Sequence, residues 1–243
     1  MESRRAFFAT VAAVLLAEIN LCENARADDA GQKSNDNAKP RKILFLGNSI
    51  TRHPPVASLE WPFDHGMAAS APEKDYAHLL VARFAAANDG HAPEAMIENI
   101  ANFERRFEQI DVAKEYKKFA DFRPDLVILA IGENVRPLSS EADQAKFKKS
   151  VIGLLSFLKQ ASHPRILVRS SFWPNKEHDA ALREACSAVG GTYVDLGNIG
   201  NEPANRAENE QKAPYIKHPG VGGHPGDKGM AAIADAIWKA VQH

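Results

Sequence analysis

Cysteine is scarce in this chain: only Cys22 and Cys186 occur in 243 residues. No Cys-x-x-Cys motif, no phosphate-binding glycine loop and no close pair of acid–base carboxylates appears. These absences leave no recognisable pattern for a metal centre or a nucleotide site, so no metal and no cofactor is expected. Charge of one sign is missing too. The formal net charge is -1, which gives no electrostatic case for nucleic acid or for an anionic membrane surface. The hydrophobic fraction, 44%, is that of a soluble globular protein. There are no internal repeats.

Long apolar runs are limited to one, Ala6 to Ala17, preceded by Arg4 and Arg5 and followed by Ala25-Arg26-Ala27. It is too short to span a bilayer comfortably. A charged start, an apolar middle and a small-x-small end make residues 1–27 a secretory signal peptide. The reading is therefore an exported protein, periplasmic or extracellular, with no stable membrane insertion; an uncleaved anchor is the competing reading. Ser3-Arg4-Arg5-Ala6-Phe7-Phe8 also fits a twin-arginine signal, so the Sec and twin-arginine routes both stand. Residues 28–40 are polar with almost nothing to bury and read as a disordered linker. Residues 41–243 are then one domain. Cleavage would remove Cys22 and leave Cys186 alone, so no intramolecular disulfide can form. Cys22 lacks the small residues expected before a lipidated cysteine. Cys186, inside a helical pattern, reads as a small apolar packing residue.

Within the domain the apolar pattern alternates between short runs and helical periods. Strands are expected at Lys42–Leu46, Ala95–Ile100, Leu126–Ile131, Arg165–Ser170 and Thr192–Leu196. Helices are expected at Tyr76–Ala87, Phe103–Phe119, Ala142–Leu158, His178–Val189 and Asp227–Val241. Two long loops, 52–75 and 197–223, complete the order. Such alternation means one α/β domain with a parallel sheet of about five strands between helix layers.

The strand run Ile43-Leu44-Phe45-Leu46 leads into Gly47-Asn48-Ser49 and delivers Ser49 to the sheet edge where α/β folds place ligands. Gly47 is expected to let the backbone turn there. Asn134 follows the third strand, and His224 precedes the last helix; in a parallel sheet these points share one edge. A serine hydroxyl needs a base, and a neutral imidazole suits that role near neutral pH. The oxyanion of acyl transfer needs fixed donors, which an asparagine amide and backbone N–H groups can supply. Trp61 and Phe63 in the first long loop are either a substrate wall or a satellite packing cluster. His53 and His65 lie in the same loop, as solvated or substrate-contacting groups, and His218 is the alternative base. Glu177-His178-Asp179 reads as a helix start in preference to a metal site.

Gly47-Asn48-Ser49-Ile50-Thr51 resembles the first block of the SGNH (GDSL-type) hydrolases, with Asn48 where aspartate is usual. Gly132-Glu133-Asn134 resembles their Gly-x-Asn block, and Gly223-His224-Pro225 the block with the catalytic histidine. The resemblance covers the chain from Lys42 onward. It implies a flavodoxin-like three-layer α/β/α fold, Ser49 as nucleophile, His224 as base and Asn134 as an oxyanion donor. Two blocks depart from the pattern. In Asn99-Ile100-Ala101-Asn102-Phe103-Glu104-Arg105 the position of the family's glycine donor falls on Glu104, whose backbone N–H is expected to take the role. The family's aspartate three residues before the histidine is Val221 here, so a Ser–His dyad with a backbone carbonyl orienting the ring is expected. The resemblance implies a secreted esterase acting on a small-molecule or polysaccharide acyl ester, with short acyl groups such as acetyl on carbohydrate as the leading case. A lipid or thioester hydrolase and a non-catalytic carbohydrate-binding descendant of the fold are the alternatives.

Overall fold

The computed structural model describes residues 39–210 and 216–243. The expected leader with Cys22, and all but the last two residues of the expected linker, lie outside the described residues. Five strands form the sheet: β1 (Lys42–Gly47), β2 (Glu94–Asn99), β3 (Leu126–Ala130), β4 (Arg165–Arg169) and β5 (Thr192–Val194). All pairs are parallel, in the order β2-β1-β3-β4-β5. That is the flavodoxin-like order, whose switch point lies between β1 and β3.

The helices are α1 (Tyr76–Ala87), α2 (Ala101–Arg106), α3 (Val112–Glu115), α4 (Lys117–Asp121), α5 (Glu141–Ser162), α6 (Lys176–Ala188), α7 (Pro219–Gly222) and α8 (Asp227–Val241). Strand side chains alternate between the two faces. Ile43, Phe45 and Ile128 pack with Tyr76, Leu80 and Phe84 of α1 and with Ile233 and Ile237 of α8. Leu44, Leu46, Val127 and Leu129 pack with Phe103 of α2, with Phe147, Leu154 and Leu158 of α5, and with Leu182 and Cys186 of α6. The sheet is thus the middle of three layers, as the sequence implied. Cys186 is fully buried and burial pushes its thiol up to about 11, so it packs as an apolar residue.

Two expectations need correction. The single helix expected over Phe103–Phe119 is three short ones, because the Asp111 side chain caps the Lys114 N–H at 3.2 Å and starts α3 afresh. Gly47 is required by space and not by a turn. A Cβ there would stand 1.8 Å from Thr51 Oγ1 and 2.9 Å from the Ala130 carbonyl, so β1 could not lie against β3 with any larger residue. Elsewhere boundaries move by a few residues at most. Helix α5 starts one residue earlier and ends four later than expected. Ser140 caps its first turn.

The first long loop is not open. Bridges join His53 to His65 and Val56 to Trp61. Trp61, Met67 and Ala68 form a separate apolar cluster with Ala207 and Val221, and Leu59, Phe63 and Ile216 pack against it. Trp61 and Phe63 belong to that satellite cluster and not to a substrate wall. Among the described residues no helix is long and apolar enough to cross a membrane.

Candidate active site

Strand β1 ends in a tight turn that presents Ser49. Asn48 makes the turn: its carbonyl accepts the Thr51 and Arg52 N–H groups at 3.0 Å, and its Oδ1 accepts the Ile50 N–H at 3.1 Å. Ser49 opens into a cavity of about 570 Å³ that His224, Asn134, Trp173 and Arg105 also line. Ser49 Oγ and His224 Nε2 are 2.8 Å apart. His224 reaches that place because α7 is followed by a turn in which its N–H donates to the Val221 carbonyl at 3.0 Å. Its own carbonyl accepts the Ala207 N–H at 3.0 Å.

The imidazole is nearly enclosed. Its ring stands edge-on to Trp173, with centroids 5.6 Å apart and planes at 85°. Burial pushes its pKa down to about 4; the backbone of Gly220 and Val221 and the charge of Glu133 oppose that shift. Nδ1 is buried and makes no hydrogen bond of ordinary geometry among the described residues. Among the described residues no carboxylate bonds to it. Val221 is buried in the apolar cluster. Asp227 accepts the Ser70 N–H at 2.8 Å and the Ser70 hydroxyl at 2.6 Å. Asp195 accepts from Arg183 and from the Gly197 N–H. The other histidines are placed elsewhere, except one. His218 accepts the Gly220 N–H and caps α7. His65 is buried against Trp61 and Phe63. His178 is buried between the Gly132 and Arg136 carbonyls at the start of α6. Only His53 lines the cavity with Ser49.

The second block differs from the sequence expectation. Glu104 is fully buried and absent from the cavity wall. It is the fourth residue of α2, beyond the first-turn N–H groups that a helix leaves unpaired. Of those, Ile100 donates to the Gly47 carbonyl, Ala101 to Asn99 Oδ1 and Phe103 to the Ile100 carbonyl. The N–H groups of Asn102 and of Ser49 donate to none of the described residues, and both residues line the cavity. On this turn the unpaired N–H at the cavity is therefore that of Asn102 and not that of Glu104. The sequence pattern started this helix at Phe103, which left Glu104 in its first turn; the observed start at Ala101 puts the Glu104 N–H beyond it.

What Glu104 does is unexpected. Its Oε1 accepts the Gly132 N–H at 2.7 Å, the Asn134 N–H at 3.0 Å and Asn48 Nδ2 at 3.3 Å; its Oε2 accepts Asn134 Nδ2 at 2.9 Å. Asn48 Nδ2 also donates to Glu133 at 2.6 Å, and Glu133 pairs with the buried Arg169 at 2.7 Å and accepts the Phe172 N–H. Burial and the nearby Glu133 charge raise the Glu104 pKa against these donors. Burial also works against the Glu133 charge, but Arg169 and the Phe172 N–H hold that carboxyl below its ordinary range. Asn48 explains itself here. An aspartate in its place would set a third carboxylate between two others and remove the donor that bridges them.

Arg169, Arg105 and Trp173 were not singled out by sequence. Trp173 and Glu133 also line a second cavity of about 520 Å³, shared with Ser139, Gln144 and Asn175, so the two cavities adjoin at Trp173. Among the described residues no group of three His, Cys, Asp or Glu side chains could hold a metal ion.

No family model matches the sequence, and no curated protein matches it either. Solved structures do. A crystal structure described as a GDSL-like lipase from Bacteroides uniformis superposes with a TM-score of 0.52 at 16% identity, covering 83% of this chain and 95% of that one. A second GDSL-like lipase, from Bacteroides ovatus, gives 0.50 at 14% identity, covering 82% and 96%. At such identities the likeness is one of fold. The described residues have the three-layer α/β/α fold of the SGNH (GDSL-type) hydrolases, with Ser49, Asn134 and His224 brought to one cavity at its switch point.

Proposed function

We propose that this chain is a serine esterase whose Ser49 attacks the carbonyl carbon of a carboxylic ester. The observation that carries the reading is the 2.8 Å contact between Ser49 Oγ and His224 Nε2 inside a cavity that Asn134 also lines. For Nε2 to accept the hydroxyl proton, the neutral ring must carry its hydrogen on Nδ1. A pKa pushed down to about 4 keeps the ring neutral, and so ready as a base, at pH 7. As Ser49 Oγ bonds to the carbonyl carbon, its proton moves to Nε2. The carbonyl oxygen becomes an oxyanion, which the N–H groups of Ser49 and Asn102 and one hydrogen of Asn134 Nδ2 are placed to receive. Collapse breaks the ester C–O bond, and Nε2 gives the proton to the leaving alcohol. Water, deprotonated by His224, then attacks the acyl-enzyme and restores the serine.

The same low pKa has a cost: the imidazolium formed on the way has no carboxylate beside it. Glu133 and the backbone of Gly220 and Val221 are the groups that favour the charged ring.

The substrate read for this site is a short acyl group, such as acetyl, on a carbohydrate. An exported protein meets polysaccharides, and the leader pattern at residues 1–27 supports export. The second cavity beyond Trp173 adds an aromatic face with serine, glutamine and asparagine side chains, a composition suited to a polyhydroxylated alcohol. The test is hydrolysis of aryl esters from acetate to octanoate by the mature chain and by Ser49→Ala. Turnover that falls with chain length and is lost in the variant supports the proposal. Turnover rising with chain length points to a lipid esterase. No turnover, with no labelling of Ser49 by an organophosphonate, leaves the fold as a carbohydrate-binding module.

A further inference from the structure

Helix α2 presents two consecutive charged residues, Glu104 and Arg105, to opposite ends of one side chain. The buried carboxylate of Glu104 accepts Asn134 Nδ2 at 2.9 Å. The exposed guanidinium of Arg105 donates from Nη2 to Asn134 Oδ1 at 3.1 Å. A primary amide has two ends of nearly equal size, so shape alone cannot decide which faces a cavity; its partners must. An acceptor at the nitrogen and a cationic donor at the oxygen permit one orientation only. That orientation uses one Nδ2 hydrogen on Glu104 and leaves the second for the cavity. Glu104 also accepts the backbone N–H groups of Gly132 and Asn134, so it holds the turn as well as the amide. That turn is already unusual: Gly132 has φ +135, and a Cβ there would stand 2.3 Å from Ser171 Oγ.

We infer that Glu104 and Arg105 are positioning residues that clamp the Asn134 amide with its nitrogen toward the oxyanion. The inference rests on the esterase reading and deepens it, since neither residue need touch the ester. Glu104→Gln keeps the shape but replaces Oε2 with a second NH2 facing Nδ2. Two donors cannot pair, so Asn134 must turn over and offer its oxygen to the new amide, which also removes the acceptor from Arg105. Arg105→Ala frees the exposed end without disturbing any buried group.

The experiment is a double-mutant cycle with phenyl acetate, a small neutral ester for which Arg105 offers no charge recognition. Glu104→Gln is expected to lower kcat about 100-fold and Arg105→Ala about 10-fold, with KM changed little, because the loss falls on a donor used only in the transition state. In an Asn134→Ala background each substitution is expected to cost less than about 3-fold, because the residue through which it acts is gone. Thermal melting of each variant reports whether it folds. If Glu104→Gln does not fold, Arg105→Ala alone completes the cycle. Either substitution keeping its full effect without Asn134, or neither affecting kcat, overturns the clamp. A wild-type chain that neither turns over phenyl acetate nor is labelled at Ser49 overturns the esterase reading itself, and the clamp with it.

Discussion

The His224 ring stands edge-on to Trp173 with no side chain among the described residues bonded to its buried Nδ1, which meets only the backbone of Gly220 and Val221, whereas the Asn134 amide is bonded by side chains at both ends. One half of the site is held by packing and the other by polar contacts. The two side chains differ in what fixes them. An imidazole is a flat, bulky ring, and close walls restrict it without specific partners. An amide's two ends look alike to a wall, so only hydrogen bonds tell them apart. Around His224 the residue three positions upstream is Val221, buried in an apolar cluster. Around Asn134 the chain has a buried network of Asn48, Glu104, Glu133 and Arg169, with the desolvation that entails.

Three substitutions sharpen that contrast. Val221→Asp offers the histidine side a carboxylate at the position usual in the resembling family. Because the Val221 side chain lies among Trp61, Met67, Ala68 and Ala207, the acid would be buried without partners. Chemical denaturation should show a loss of about 2–3 kcal/mol, with no gain in kcat. Asn48→Asp attacks the polar side by removing the amide donor between Glu104 and Glu133. It should cost about 2 kcal/mol of stability, less at pH 4 than at pH 8, because protonation relieves the repulsion. Trp173→Ala removes the wall behind the imidazole while leaving its hydrogen bond to Ser49. The expected effect is the smallest, a fall in kcat of about 10-fold with little change in folding, read by steady-state kinetics and thermal melting. A loss of kcat from Trp173→Ala equal to that from Glu104→Gln would erase the distinction drawn between packing and polar restraint.

Much of this was legible in the sequence. The apolar runs at Ile43–Leu46 and Leu126–Ile131 and the periodic helices at 76–87 and 227–241 located the central strands and one helix layer, because buried parallel strands and amphipathic helices have distinct periods. Ser49, Asn134 and His224 sit at strand and helix boundaries, which punctuation by glycine and proline makes visible. Glu104 was misread because spacing along a turn does not say which of its N–H groups the helix consumes. The 103–119 segment was misread because its period continues through Asp111, where a side-chain cap restarts the helix. Arg169 was not singled out: an arginine in a strand pattern looks like an edge residue until Glu133, 36 positions away, is brought against it. The fate of Trp61 and Phe63 depended on Ala207 and Val221, which only the fold brings to them.

The central claim is that a neutral, enclosed His224 with no carboxylate partner activates Ser49, and the pH dependence of Ser49 labelling by an organophosphonate tests it most directly. Burial lowers the His224 pKa from 6.5 to about 4, so the reactive neutral ring persists as pH falls and is lost only near that value. The sign for stability is the same: the unfolded chain binds a proton on this histidine below about 6.5 while the folded chain resists it until about 4, so folding weakens across that window as pH falls. The account predicts labelling that is flat from pH 8 to 6, has its acid midpoint between about 4 and 5, and vanishes in Ser49→Ala. A midpoint near 6.5 or above, or labelling that survives the loss of Ser49, would contradict it.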